Sequence, residues 1–251
     1  MIINPYRYAG SAAFSPADIA NLALWFDAND ISTLWQDDAH TTAVTTNNDP
    51  VGAWQNKASG GWYVIQVNTS QKPTYKTGVQ NSLPGVRGDG GDALRYASPG
   101  FTSDRYVSVF AVVNSEVSDG GPFWTTANIS NTSKLLFWCS RGAGKPLADV
   151  VISGSTVSIS LISQDDTATF RQITMIRNDT SAEAWKNGTS QGTSTPSTGN
   201  TINNSCRLFT NSNGANPLTG HICELIAYEA VLSTTDRQAV EAYLKAKWGT
   251  P

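Results

Sequence analysis

Charge and reactive side chains are scarce in this sequence. Of 251 residues, 17 are Lys or Arg and 20 are Asp or Glu, leaving a formal net charge of −3. The cations are scattered, so there is no electrostatic footprint for a phosphate backbone, and nucleic acid is not an expected partner. Long apolar runs are missing as well. Residues 109–113 form one of the longest, and they fall far short of the roughly 20 residues that a membrane-spanning helix needs. No membrane insertion is expected. Residues 1–8, Met-Ile-Ile-Asn-Pro-Tyr-Arg-Tyr, lack the basic, apolar and small-residue succession of a signal peptide, which predicts synthesis in the cytoplasm without export by the general secretory route.

Nucleophilic and metal chemistry have few residues to draw on. The three cysteines, Cys139, Cys206 and Cys223, show no CxxC spacing and are odd in number, against both a zinc site and a disulfide framework. Buried thiols are the expected state, and a Cys206–Cys223 bridge requires neighbouring strands. Only two histidines, His40 and His221, are available as bases, and both fall where loops or strand ends are expected. There is no Gly-x-Ser-x-Gly. Residues 141–145, Arg-Gly-Ala-Gly-Lys, lack phosphate-loop spacing, and Pro146 blocks the helix that would follow; they read as a turn.

What the sequence has is strand periodicity and turns. It is 39% hydrophobic and 10% aromatic, enough for one large core. In residues 105–113 the alternation sends Val107, Val109, Ala111 and Val113 to one face and Tyr106, Phe110 and Val112 to the other, predicting a central strand buried on both sides. Similar runs occupy 135–139, 150–152, 157–162, 170–176, 206–209 and 222–228. Asn187-Gly188 predicts a hairpin with a type I′ turn, because both central positions need positive φ. The Ser/Thr/Gly-rich stretch 189–204 reads as an exposed loop.

A helix is expected at the end. Ser233 to Asp236 resembles a capping box, Val240, Tyr243, Leu244 and Trp248 share a face, and Gly249 with Pro251 closes the segment. Ser15 and Pro16 start a shorter helical turn over 16–21 that leads into a strand at 22–26. Residues 1–14 show no period. With Pro5, Tyr6, Tyr8 and Phe14 they form either an extended docking arm or a frayed terminus, and residues 15–251 form the folded domain.

Several segments, taken in order, resemble the concanavalin A-like, laminin-G-type jelly roll in the form common in bacterial and bacteriophage surface proteins. They are residues 22–30 (LALWFDAND), 49–57 (DPVGAWQNK), 72–75 (KPTY), 83–94 (LPGVRGDGGDAL), 173–188, and 220–228 (GHICELIAY) with the helix after it. In that family an aromatic usually precedes the Asp-Gly of the fourth segment; here Gly88 stands there. The resemblance implies an all-β, antiparallel two-sheet sandwich with a C-terminal helix packed on it and rim loops free for binding. Family members with this opening and no signal peptide are typically phage virion proteins. The first expectation is therefore a non-catalytic virion structural protein, a capsid decoration or tail component, assembling through its arm with other virion proteins and with copies of itself. The alternative is a carbohydrate- or receptor-binding module that meets a host-surface glycan, with calcium as its one candidate cofactor.

Each chemistry has its own residue requirements. Hydrolases on this fold carry Glu-x-Asp-x-x-Glu, which is absent, so an enzyme is not expected. Glu224 reads as a structural carboxylate answering backbone N–H groups or an Arg. Asp27, Asn29 and Asp30 make one oxygen-rich turn and Asp89 with Asp92 another; such groups either hold calcium or cap turns through Asx hydrogen bonds. For a glycan, Trp35, Trp54, Trp62, Tyr63 and Trp124 are the candidate aromatics, with core packing as the other use of each.

Overall fold

A computed structural model describes residues 14–58, 60–96, 105–118, 121–127, 134–138, 148–152, 155–159, 169–195, 205–210 and 217–251. The chain opens with β1 (Leu22–Asp27), β2 (Leu34–Trp35), β3 (Ala53–Gln55) and β4 (Tyr63–Ile65). Next come β5 (Thr74–Gln80), β6 (Leu83–Asp89), β7 (Leu94–Tyr96) and β8 (Tyr106–Ser115). The middle holds β9 (Pro122–Ala127), β10 (Lys134–Trp138), β11 (Ala148–Ile152) and β12 (Ser155–Ile159). It closes with β13 (Arg171–Asn178), β14 (Ser181–Lys186), β15 (Thr189–Ser194), β16 (Ser205–Leu208), β17 (Thr219–Tyr228) and the helix α1 (Thr234–Trp248).

These strands make two antiparallel sheets, the sandwich that the sequence implies. Sheet A runs β15-β14-β13-β8-β17-β6-β5, with β1 also on β17; sheet B runs β12-β11-β10-β9-β16-β7-β4-β3-β2. Strand β8 works as its alternation requires: Val107, Val109, Ala111 and Val113 join the core between the sheets, while Phe110 and Val112 join a second cluster under α1. In β17 the register against β8 shifts between Ile222 and Glu224. An extra residue at such a bulge leaves two successive side chains on one side. Cys223 joins the cluster under α1, and Glu224 hydrogen-bonds Tyr243 and Trp248 of that helix.

The helix starts and stops where its caps dictate. The Ser233 hydroxyl accepts from Asp236 N–H at 3.1 Å, and Gly249 takes the left-handed conformation, φ 62°, that ends it. Val240, Leu244 and Trp248, spaced four apart, are fully buried against the outer face of sheet A. Each such side chain contributes roughly 1.5–3 kcal/mol by leaving water.

The structure differs from the expected one in several places. Asn187 and Gly188 have φ of 51° and 76°, as a type I′ hairpin requires, but the loop expected after them begins with an edge strand, β15. Its Thr- and Ser-rich sequence hides a strand that pairs only on one side. The turn expected at 16–21 is one 3-10 turn, Pro16–Asp18, capped by Ser15. Cys206 and Cys223 are free thiols. Cys206 points into the core between the sheets and Cys223 away from it, so the two cannot bridge. His221 is no surface histidine: it lies within β17, 9% exposed. Gly88 leaves room for Phe209, whose ring would lie 2.7 Å from a Cβ placed there, so an aromatic from another segment fills the space. Pro5, Tyr6, Tyr8 and Cys139 lie outside the described residues; Phe14, assigned to the arm, packs edge-on against Tyr243 of α1 at 6.0 Å.

Candidate functional site

The outer face of sheet B is set by strand alternation. Leu34, Trp54, Val64, Leu94, Cys206 and Leu208 all point into the core. Their strand neighbours Trp35, Gln55, Tyr63, Ile65, Arg95 and Arg207 therefore point the other way. Register lines several of these up across the strands: Trp35 opposite Ala53, Ala53 opposite Ile65, Ile65 opposite Arg95, and Arg95 opposite Arg207. Tyr63 lies opposite Gln55, one pleat along.

The loop between β2 and β3 folds onto this face and is held by two aspartates. Asp37 accepts from the backbone N–H groups of Thr41 (2.9 Å) and Thr42 (2.7 Å), which lowers its pKa. Asp49 accepts from those of Thr45 (2.8 Å) and Thr46 (2.9 Å), with the same effect. Between them His40 adopts positive φ, 59°, in a turn whose N–H bonds back to the Asp37 carbonyl. Its imidazole stacks on Tyr63 at 3.7 Å and meets Trp35 edge-on at 6.2 Å. All three rings are partly exposed. Trp35 Nε1 and His40 Nε2 are buried atoms with no hydrogen-bond partner among the described residues.

Beside this aromatic group the two arginines face one another. Like charges directly opposite in a sheet repel, and burial together with Arg95 lowers the pKa of Arg207. Arg207 Nε is buried and without a partner among the described residues. Arg95 is exposed.

The candidate residues separate cleanly. Trp35 and Tyr63 come together on the outer face of sheet B. Trp54 and Trp124 are 0% exposed in the core, where aromatic bulk fills the gap between sheets, so neither can meet a glycan; Trp124 Nε1 donates to Cys206 Sγ at 3.3 Å. Trp62 stacks on Tyr96 at 4.5 Å and meets Phe26 edge-on at 5.7 Å, closing one edge of the core. Sequence reasoning missed Arg95 and Arg207; the signal that could have found them is that each is the polar residue beside core residues in a short strand, but without pairing partners their meeting could not be seen. His40 carried no signal beyond its turn.

The oxygen-rich turns hold protein groups instead of presenting a cage of ligands. Asp27 receives Lys247 Nζ at 2.7 Å and Lys57 Nζ at 3.1 Å, and Lys57 also reaches Asp30 at 2.9 Å. Two ammonium groups thus stand on the carboxylates of the first candidate calcium turn. Asn29 N–H donates to Asp27 Oδ1 at 3.0 Å, an Asx turn. Asp92 accepts from Asp89 N–H at 2.9 Å, and Asp89 from Gly91 N–H at 2.8 Å. Among the described residues no group of three His, Cys, Asp or Glu side chains converges as metal ligands would.

Glu224 is structural in a way other than expected. Its Oε1 accepts from Trp25 Nε1 (2.7 Å) and Tyr243 Oη (2.9 Å), and its Oε2 from Trp248 Nε1 (2.6 Å) and Lys247 Nζ (2.8 Å). These are side chains of β1 and α1, not backbone groups or an arginine. At the other end of β17, Arg87 grips Glu116 with two bonds of 2.8 and 2.6 Å, and His221 Nδ1 lies 2.9 Å from Asn114 Oδ1. Burial pushes the His221 imidazole down to about 4, against the pull of Glu116.

No protein-family model and no curated protein matches the sequence. Solved structures do. A GH54 α-L-arabinofuranosidase soaked with a cyclic sulfate inhibitor aligns with TM-score 0.66 at 13% identity, over 94% of this chain and 66% of that one. An arabinofuranosidase complexed with arabinofuranosyl-α-1,2-xylobiose aligns with TM-score 0.59 at 12% identity, over 79% of this chain and 51% of that one. Domain 4 of AbnA, a GH43 extracellular arabinanase from Geobacillus stearothermophilus, in complex with arabinotriose, aligns with TM-score 0.49 at 15% identity, over 88% and 97%. The chain spans about half the length of the second of these. Likeness at such identities shows the fold alone, and that fold is the two-sheet β-sandwich.

Proposed function

We propose that this protein is a saccharide-binding module, without catalysis of its own, whose ligand lies on the outer face of sheet B. The observation that carries the reading is the aromatic group of Trp35, His40 and Tyr63, partly exposed on that face beside Gln55 and the two arginines. Aromatic faces flanked by polar groups suit sugars, whose rings offer C–H faces and hydroxyl edges. A fold does not fix a function, but an arabinofuranosidase of this fold is described as complexed with a sugar, which supports this reading over the virion role. Calcium at Asp27 is not part of this reading, since Lys57 and Lys247 already stand on its carboxylate.

The test is a glycan array followed by calorimetry on the full chain. Tyr63→Ala and Trp35→Ala should each weaken the selected ligand about 5- to 10-fold, the value of an aromatic contact of about 1–1.4 kcal/mol. Their melting temperatures should stay near that of the parent. Unchanged affinity in both variants, or no glycan bound at all, would remove the proposal.

A further inference from the structure

Arg95 and Arg207 are paired residues on adjacent strands, on the same outer face as Tyr63 and Ile65. Neighbouring strands lie about 4.8 Å apart, so two guanidinium groups are held within reach of a single small anion. Guanidinium groups have five donors and no acceptor; the two cannot answer one another. Neither makes a hydrogen bond or an ion pair to a carboxylate among the described residues, and Arg207 Nε is buried besides. Three arginines elsewhere do have a carboxylate: Arg87 has Glu116, Arg105 has Asp179 and Arg237 has Glu241. Only here does the described sheet hold two cations face to face with the repulsion uncompensated from within.

We infer that the saccharide is acidic, and that Arg95 and Arg207 together clamp its oxyanion, a carboxylate or a sulfate, while Tyr63 and His40 contact the ring. This rests on the saccharide-binding reading above. Carboxylates and tetrahedral oxyanions both present pairs of oxygens that match the guanidinium fork with two parallel bonds, and charge-assisted bonds of this kind are about twice as strong as neutral ones. The chain as a whole is acidic, with net charge −3, so its overall field repels polyanions and any retention of one must come from a local site.

Native gel electrophoresis of the full chain through immobilised polysaccharides tests this, at about 0.15 M salt, where surface charges more than roughly 8 Å apart are screened. The polysaccharides are polygalacturonate (carboxylate), dextran sulfate (sulfate), and neutral dextran and arabinan. Retardation by polygalacturonate, dextran sulfate or both is expected, with one alone identifying the anion. Arg95→Gln and Arg207→Gln should each weaken it at least about tenfold, with melting temperatures at or above that of the parent. Retardation by an acidic polymer that both variants keep would overturn the clamp. Retardation by neutral polymers only, lost in Tyr63→Ala, would overturn the acidic ligand and leave the saccharide module standing. Retardation by none, together with an empty array, would overturn both.

Discussion

On the outer face of sheet A the charges lie under a helix; on the outer face of sheet B they lie in the open. Glu224 is fully buried, and four donors from β1 and α1 satisfy its two oxygens. Asp27 next to it has a lysine on each oxygen. Arg207, half-buried on sheet B, faces another arginine and has an Nε with no partner among the described residues. Both arrangements cost desolvation, and only the first recovers it inside the protein. Glu224, answered from within, holds the helix to the sheet, whereas Arg95 and Arg207, partly exposed and facing each other, are in place for something from outside.

The strongest way to break that comparison is to remove Glu224. Glu224→Ala leaves Lys247 with Asp27 but strands the Tyr243 hydroxyl and two indole N–H groups in a space built for a carboxylate, and each buried donor left without a partner costs about 1–3 kcal/mol. Urea denaturation should show a loss of that order, with α1 detaching first. A loss below about 1 kcal/mol, the size of a surface ion pair, would mean that the closed face does not depend on its polar centre.

His221 sharpens the same contrast, since the closed face also keeps a histidine neutral. With its folded pKa lowered to about 4, the unfolded chain takes up a proton below about pH 6.5 that the folded chain refuses until near pH 4. Stability therefore falls as pH drops through that window, by on the order of 3 kcal/mol. Asp92 works the other way: burial raises it to about 6, so the folded state takes its proton first and gains stability as pH falls below 6. The two slopes oppose each other, and the parent profile should be shallow between pH 4 and 6. His221→Gln removes one of them, so the variant should grow more stable relative to the parent as pH falls from 6.5 to 4. A parallel pair of profiles, or a His221 imidazole that titrates near pH 6.5 by NMR, would show that this end of sheet A is open to water.

Much of the closed face was legible in the sequence and much of the open one was not, for a physical reason. Helix and strand periods report burial, and burial dominates sheet A: Phe110, Val112, Val240, Leu244 and Trp248 all fall where alternation or four-residue spacing places them. Local turn chemistry was equally readable at Asn187-Gly188 and at Ser233, because one or two residues decide the conformation. The site on sheet B depends instead on register. Arg95 and Arg207 are 112 positions apart, and short strands such as β7 and β16, three and four residues long, carry too little pattern to reveal their neighbours. Composition misled in the other direction at Trp54 and Trp124, since an indole near loop-like sequence serves a core as well as a surface. At Asp27 the sequence left calcium and turn capping side by side, because the lysines that meet the carboxylate lie 30 and 220 residues away.

The smallest expected effect is the most discriminating. If Arg95 and Arg207 repel each other without compensation, then Arg207→Gln should stabilise the protein, by about 0.2–1 kcal/mol as measured for cross-strand pairs. For a chain of this size that raises the melting temperature by roughly 1–4 °C. Arg95→Gln should do the same, and the double variant should gain no more than either single one, because the repulsion ends once one partner is gone. Such non-additivity marks a direct interaction, whereas additive gains would trace to each side chain's own desolvation. Raising the salt should shrink the gain, since screening weakens the repulsion in the parent. A destabilised Arg207→Gln would mean that the guanidinium is satisfied within the fold, and the outer face of sheet B would then be built on the same principle as that of sheet A.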